Sequence, residues 1–90
     1  MSVEILITTA EEIGIAPEII STWPIWTCEI SDFDWFYDEK ELCLILEGEI
    51  IVSTATEEVH IYAGDFVVFP AGLSCRWKVL KPVKKHYFFG

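Results

Sequence analysis

Short apolar runs alternate with turn residues along most of the chain. From residue 33 onward the runs fall at residues 33–37, 41–47, 50–53, 59–62, 66–69, 75–80 and 85–89. Runs of this length, rich in β-branched and aromatic side chains and bounded by Gly, Pro or Asp, are typical of strands. Gly48 separates the second run from the third, and Gly64 and Gly72 mark two further tight turns. This succession of short strands predicts an all-β sandwich or barrel.

The run at residues 42–46 is apolar at every position. Because neighbouring side chains of a strand point to opposite faces, both faces of this strand need cover. We therefore place it in the middle of a two-layered structure. The expected architecture is a barrel of two antiparallel sheets, since closure removes exposed strand edges.

The first part of the chain carries different signals. Residues 3–7 form a short β-branched run that predicts a strand. Thr9, with Glu12 three positions later, has the spacing of a capping box that opens one helical turn. Gly14 and Pro17 argue against a longer helix.

A proline also limits the next apolar cluster, Trp-Pro-Ile-Trp at residues 23–26, to an edge strand or a loop. We interpret this cluster as part of an arm packed on a barrel. The 90 residues contain no repeat and no linker, and 52% apolar content suits a folded domain. We therefore predict a single domain over residues 1–90, with an N-terminal strand and arm at 1–27 and the barrel at 28–90.

Charge narrows the range of partners. Fifteen acidic residues against six basic ones give a net charge of −9, which repels phosphate backbones and anionic lipids. We therefore expect neither nucleic acid nor a membrane surface as a partner. The acids concentrate in residues 29–49 and the bases from Arg76 onward, so we expect the two stretches to pair across the sheet. The high apolar content of so short a chain predicts surplus hydrophobic surface and a homodimer.

Location and thiol chemistry follow from two further observations. No run approaches the roughly 20 apolar residues of a spanning helix, and the N-terminus lacks a signal-peptide pattern, so the predicted location is the cytoplasm.

Cys28, Cys43 and Cys75 are odd in number and widely spaced, which predicts reduced thiols. Neighbouring strand residues face opposite ways, so the charge of Arg76 does not face Cys75. We expect Cys75 to be a buried inert thiol, with a nucleophile as the alternative.

The two histidines do not form a catalytic pair in the sequence pattern. His60 lies in a polar stretch and is expected to face solvent. His86 lies on the last predicted strand and is expected to be a partly buried structural residue, with a pocket group or proton carrier as the alternative.

Glycine-anchored blocks carry a family resemblance. Glu41 precedes Gly48 by seven positions, and Gly64, Pro70 and Gly72 precede Cys75, with the spacing of the two motifs of the cupin superfamily. Five blocks, three of which contain tryptophan, resemble the small single-domain cupins grouped with (S)-ureidoglycine aminohydrolase; they lie at residues 23–26, 31–38, 41–48, 69–79 and 85–87. The resemblance implies a double-stranded β-helix, the RmlC-like jelly roll.

The resemblance also implies where a metal would bind, because metal-dependent cupins use three histidines and one glutamate. Glu41 alone is retained in this chain. The first two histidine positions fall on Trp35 and Tyr37, or on Asp34 and Phe36 with a gap one residue longer, and the third falls on Cys75. We therefore predict no cofactor. A divalent metal held by Glu41, Cys75 and Tyr37 is the weaker alternative, in which the thiolate favours zinc.

A ligand site without metal is predicted inside the barrel mouth. Its expected lining residues are Trp35, Tyr37, Glu41, Cys75 and Trp77. Glu41 in an aromatic lumen is a candidate general acid or base, and Cys75 a weaker catalytic candidate. The ligand would be small and partly apolar, and would donate a hydrogen bond or carry positive charge. The alternative is a packed core in which Glu41 only orients its neighbours.

Three functions are consistent with these features. The first is a cupin that binds or transforms a small metabolite in its lumen without a complete metal site. The second is a non-enzymatic dimeric structural or interaction module. The third, with the least support in the residues, is a metal-dependent enzyme similar to the aminohydrolases.

Overall fold

The computed structural model describes residues 4–90, which form seven strands and two one-turn helices. The strands are β1 (Leu6–Thr8), β2 (Ile25–Cys28), β3 (Ser31–Phe36), β4 (Glu41–Ser53), β5 (Glu58–Tyr62), β6 (Phe66–Phe69) and β7 (Ser74–Phe89), and the helices are α1 (Ala10–Ile13) and α2 (Pro17–Ile20). Strands make up 59% of the structure and helices 9%, which confirms the all-β prediction. The start of the first predicted strand, at residue 3, lies outside the described residues.

The strands form two antiparallel layers that share β4 and β7. The first half of β4 pairs with β6 and with the end of β7, and β1 and β2 extend this layer at its two edges. The second half of β4 pairs with β5 and with the start of β7, which in turn pairs with β3. β4 therefore lies centrally in both layers, as its apolar run predicts. This arrangement is the two-sheet jelly roll expected from the sequence.

Gly48 does not end a strand, contrary to the sequence prediction. The predicted strands at 41–47 and 50–53 are one continuous strand, β4, and the register to β7 shifts on both sides of Gly48. Gly48 has φ +108°, and an added Cβ would lie 2.6 Å from the carbonyl oxygen of Pro82. A glycine therefore permits a bulge and a close approach of two backbones here, where a turn was predicted.

The last two predicted strands also merge. Residues 75–80 and 85–89 belong to the single strand β7, which passes through Pro82 without ending. Proline lacks an N–H and is tolerated within a sheet at a bulge. Pro82 lies opposite the bulge at Gly48, so the missing donor falls where the ladder is already irregular.

The N-terminal segment follows its local signals at α1 and β2, whereas α2, which begins at Pro17, was not predicted. The Thr9 hydroxyl accepts a hydrogen bond from the Glu12 N–H at 3.1 Å and caps α1, and Gly14 at φ +80° ends that helix. The Glu12 carboxylate accepts from the Thr8 hydroxyl at 2.8 Å, so only half of the predicted capping box forms. β2 is an edge strand that starts directly after Pro24, as predicted.

The two faces of the apolar run in β4 differ in cover. Cys43 and Ile45 are buried against the core, whereas Leu42 and Leu44 on the opposite face are half-buried and Leu46 is 37% exposed. The prediction that both faces are covered therefore holds fully for one face only. Trp23 from the N-terminal segment covers part of the outer face by stacking on Phe88, with ring centroids 5.5 Å apart.

The predicted cross-sheet charge pairing is confirmed. Arg76 contacts Asp32 at 2.6 Å and Asp34 at 3.1 Å on the surface. Two further lysine–glutamate pairs join the same two stretches, one exposed and one buried. All three cysteines are free thiols, as predicted. Within residues 4–90 no helix is long and apolar enough to cross a membrane.

Candidate functional site

A buried ion pair lies between the two long strands. Glu41 is the first residue of β4 and faces inward on the same side as Cys43 and Ile45, while Lys85 of β7 faces inward opposite Ile45. Lys85 Nζ donates to Glu41 Oε2 at 2.9 Å, and the two side chains are only 5% and 4% exposed. Charges withdrawn from water to this extent are costly unless they are paired. The pair therefore depends on the precise meeting of β4 and β7.

Aromatic side chains enclose the lysine. Its Nζ lies 4.6 Å from the ring centroid of Trp77 and 4.9 Å from that of Trp26. An ammonium over an indole face is attracted by the ring quadrupole, and the attraction is stronger when water is excluded. Glu41 and the two indoles thus hold one positive charge from different sides.

A cavity of about 230 Å³ opens beside this pair. It is lined by Trp26, Phe33, Trp35, Tyr37, Glu41, Trp77, Lys85, Tyr87 and Phe89. Trp35 and Phe89 are 50% and 40% exposed, so they form the rim, whereas Tyr37 and Trp77 are 2% exposed and form the inner wall. The site is a small aromatic chamber with one charged pair.

One oxygen of the buried carboxylate is incompletely hydrogen-bonded. Glu41 Oε1 is buried and makes no regular hydrogen bond within the described residues. The phenol of Tyr37 approaches this carboxylate, and burial together with the Glu41 charge raises the pKa of Tyr37 well above its usual range. Tyr37 therefore remains a protonated donor. Buried polar atoms are normally bonded, so Oε1 is the natural acceptor for a ligand group or a water molecule in the cavity.

Four of the five predicted lining residues meet at this cavity, and one does not. Trp35, Tyr37, Glu41 and Trp77 line it, while Cys75 lies outside, beneath an open depression that also includes Asp34. Cys75 is near the start of β7, two residues from Trp77, and that step of roughly 7 Å along a strand carries it past the chamber. Cys75 therefore does not line this cavity, contrary to its predicted place in the barrel mouth. The binding roles of all five residues remain predictions.

Cys75 also has the properties of an unreactive thiol. It is 7% exposed, and burial raises its pKa to about 11, so the thiolate is scarce at neutral pH. Its sulfur lies beside Trp77 Nε1, which is buried without a regular hydrogen-bond partner. A thiol is a weak acceptor, and it satisfies that indole N–H only in part.

Sequence reasoning missed several lining residues, most importantly Lys85. The signal was present in the alternation of β7, because Val83, Lys85 and Tyr87 share one face and a lysine on a buried face needs an acid. The position of Phe33 could have been predicted in the same way, because it is two residues from Trp35 and therefore shares its face of β3. Trp26 gave no such signal, because its inward position depends on how the edge strand β2 docks.

The three residual metal-ligand candidates do not fit a metal ion. Glu41 Oε2 already binds an ammonium, whose charge repels a second cation at the same carboxylate. Cys75 does not line the cavity that Glu41 and Tyr37 share, so the three side chains do not line one site. Among the described residues no group of three His, Cys, Asp or Glu side chains has a metal-binding arrangement.

The histidines lie away from the chamber. His60 is exposed and contacts Glu49 at 2.6 Å, which confirms its solvent-facing prediction. His86 is half-buried, and its Nδ1 lies 2.9 Å from the carbonyl oxygen of Trp23, as expected of a structural residue. Neither ring lines the cavity.

A two-layered antiparallel jelly roll is the architecture that cupins share with several other protein classes. The chain belongs to the EutQ-like cupin domain family, which matches residues 16–87. It is similar to a DUF861-family protein from Thermotoga maritima, with 47% identity and a TM-score of 0.83 over 99% of this chain and 100% of that one. No match was found among the curated proteins with which the sequence was compared.

More distant solved structures share the fold alone. The EutQ protein of Clostridium difficile is 17% identical with a TM-score of 0.66, over 72% of this chain and 52% of that one. A DUF861-family protein of unknown function from Pseudomonas syringae is 22% identical with a TM-score of 0.67, over 73% of this chain and 29% of that one. The present chain thus corresponds to about half of the first protein and under a third of the second. The small-cupin prediction is confirmed at the level of the family.

Proposed function

We propose that this cupin binds a small, planar, partly apolar molecule in its aromatic chamber without a metal. The observation that supports the proposal is the buried Glu41–Lys85 pair on the wall of the cavity, with Glu41 Oε1 left without a regular hydrogen bond. A packed core would place an apolar side chain there, because an incompletely bonded buried carboxylate is costly.

The chamber's chemistry selects among ligands. Its volume of about 230 Å³ is below the roughly 300–1,000 Å³ of drug-sized sites, so a molecule of one ring fits best. Aromatic walls favour flat apolar faces, and Glu41 Oε1 favours an N–H or O–H donor. The sequence also suggested a cationic ligand, but the ammonium of Lys85 already occupies the aromatic surroundings. An uncharged donor such as a carboxamide or an alcohol is therefore preferred.

Thermal-shift and tryptophan-fluorescence titrations with benzamide, benzyl alcohol and cyclohexanecarboxamide test this proposal. We expect at least one of them to raise the melting temperature of the parent, and Glu41→Gln to weaken that response. Ser53→Ala, a change on the far half of β4 outside the chamber, should leave the response unchanged. If no compound shifts the parent and Glu41→Gln melts higher than the parent, the carboxylate is only a buried cost and the chamber is not a binding site.

A second proposal concerns a partner, and it rests on the outer face of the first layer. The register aligns four uncharged residues in one row across four strands, namely Leu6, Val68, Leu42 and Phe88. Leu6 and Phe88 are 50% and 46% exposed. A second copy would present the same uncharged row, so pairing there keeps the acidic surfaces apart.

The dimer is tested by light scattering. A homodimer through this row predicts twice the chain mass of 10.3 kDa at micromolar concentration, and Leu42→Glu should halve it. A parent that scatters as a single chain removes this proposal.

The unpaired thiols further support a reducing, cytoplasmic location.

The residues of the chamber do not favour a metal-dependent mechanism like that of the aminohydrolases. That activity would require a metal, and in this chain Glu41 is paired with an ammonium while Cys75 does not line the cavity. Elemental analysis of the purified protein checks this point. A full equivalent of zinc or manganese that is lost in Glu41→Ala would favour the metal enzyme over the metal-independent cupin.

A further inference from the structure

We propose that Lys85 forms a covalent iminium with small aldehydes or ketones that enter the chamber. The inference deepens the proposed function, because it rests on entry of a small ligand into the same cavity. The reacting groups are the carbonyl of the ligand and Lys85 Nζ of the protein.

The amine of Lys85 is buried, but a small ligand can reach it through the cavity. Lys85 is 4% exposed, yet it lines the cavity, so access to Nζ is through the chamber and not from bulk solvent. Lys81, in contrast, extends into solvent with 72% of its side chain exposed. Lysines act as nucleophiles when they are desolvated beside a group that can take their proton.

Glu41 is placed to take that proton. Its Oε2 lies 2.9 Å from Lys85 Nζ, which is direct hydrogen-bond distance. Moving one proton along this bond converts an ammonium and a carboxylate into a neutral amine and a neutral acid. The transfer needs no base other than Glu41, because the two groups are already in contact.

The reaction balances without an added reagent. The ammonium proton passes to Glu41 Oε2, and the free amine of Lys85 adds to the carbonyl carbon and forms a C–N bond. A proton moves from nitrogen to the former carbonyl oxygen and gives a carbinolamine. Glu41 returns its proton to that hydroxyl, the C–O bond breaks, and water leaves together with formation of the C=N bond. The products are an iminium, a carboxylate and one water molecule, with no net oxidation or reduction.

The surroundings that stabilise the ammonium also stabilise the product. The iminium carries one positive charge at the same nitrogen, so the Glu41 carboxylate and the indoles of Trp26 and Trp77 continue to face a cation. Formation of the adduct therefore does not cost the cation–π and ion-pair interactions. Tyr37 stays protonated because burial and the Glu41 charge raise its pKa, and it can donate to the carbonyl oxygen during attack.

Reductive trapping tests the inference. The full chain is incubated with benzaldehyde and sodium cyanoborohydride, and the benzylated residue is located by peptide mass spectrometry. We expect one adduct per chain, at Lys85, and loss of that adduct in Lys85→Arg but not in the neighbouring control Lys84→Arg. Glu41→Gln should slow trapping about 100-fold or more, which is the range of general acid–base effects.

Two results would overturn it. One is labelling spread over Lys40, Lys78, Lys81 and Lys84 with Lys85 unmodified, and the other is an unchanged trapping rate in Glu41→Gln. Mapping the parent protein decides the first point even if Lys85→Arg fails to fold. Benzyl alcohol separates this inference from the proposed function, because it fits the chamber but has no carbonyl. If it binds and benzaldehyde is not trapped, the chamber is a binding site and Lys85 is not a nucleophile.

Discussion

The interior of the barrel has two parts that are built differently. One part is filled by aliphatic side chains, and Ile45, Ile50, Ile61 and Val79 are each no more than 1% exposed. The other part is walled by aromatic rings and contains the chamber and the Glu41–Lys85 pair. Branched aliphatic groups interdigitate to the density of a crystal, whereas flat rings that stack and tilt enclose gaps. The difference indicates that the fold is stabilised mainly in the first part and can support a cavity in the second.

A single strand supplies both parts. β4 enters the aromatic part at Glu41 and the aliphatic part at Ile50, with the bulge at Gly48 between them. A bulge bends its strand and redirects the side chains that follow. The same bulge allows β7 to approach closely at Pro82 and to cross from one layer to the other. The bulge therefore bends β4 within the barrel, although Ile45, which precedes Gly48, already belongs to the aliphatic part.

The largest effect is expected from removing one partner of the buried Glu41–Lys85 ion pair. Lys85→Met removes the ammonium but leaves the Glu41 carboxylate buried, so the free energy of unfolding should fall by about 3–5 kcal/mol. Urea denaturation measures this change. The double variant Glu41→Gln with Lys85→Met removes both charges and should recover most of the loss. If the double variant is no more stable than Lys85→Met, the two groups are not coupled as the 2.9 Å contact implies.

Truncation in the two parts should have unequal costs. Ile61→Ala leaves a void in the filled part, where Ile61 is fully buried, and should cost about 2–5 kcal/mol. Phe89→Ala removes a larger side chain, but Phe89 is 40% exposed at the rim of an existing cavity, so we expect about 1 kcal/mol. Equal losses in thermal or urea unfolding would mean that the chamber wall contributes as much to stability as the aliphatic core.

The aliphatic part and the overall fold were more predictable from sequence than the site. Short apolar runs predicted the strands and the central position of β4 correctly, because strand periodicity and the need to bury apolar surface act locally. Gly48 was misread as a turn, since a glycine at a bulge and a glycine in a turn have the same sequence signature. What distinguishes them is the neighbouring backbone at Pro82, which is 34 residues away along the chain and becomes adjacent only in the fold.

The site was predicted only in part for the same reason. The inward positions of Tyr37 and Trp77 followed from the alternation of side chains along two strands, and the position of Glu41 followed from the family motif. Lys85 was missed because its partner is 44 residues away, and the composition does not reveal which acid and base will meet. Cys75 was placed by its motif position, although the path of β7 carries it beyond the chamber. Contacts between distant strands, rather than local patterns, decided each of these outcomes.

Alkaline pH should weaken the filled part through its thiols. Burial raises the pKa of Cys43 to about 12 from 9.0 in an unfolded chain. Above pH 9 the unfolded chain releases a proton that the folded chain retains, so the free energy of unfolding falls by about 1.4 kcal/mol per pH unit until about pH 12. Cys75 adds a similar decline up to about pH 11. Urea midpoints measured between pH 8 and pH 10.5 should fall, and Cys43→Ala should show a shallower decline; identical slopes in parent and variant would contradict this assignment.

The smallest effect is expected from Lys81→Met, which repeats the lysine-to-methionine change at an exposed position. Lys81 pairs with Glu49 at 3.6 Å, but 72% of its side chain is exposed, so water screens the pair and the side chain loses entropy when it is held in place. Lys81→Met should therefore change the free energy of unfolding by only about 0.2–1 kcal/mol, and 1 M salt should reduce that difference further. Lys81 and Lys85 lie on one strand and each faces a glutamate of β4, so the two Lys→Met variants differ mainly in burial. Urea denaturation of both under one condition gives the comparison directly. A loss in Lys81→Met as large as that in Lys85→Met would mean that strand pairing, rather than the buried charge, sets the cost.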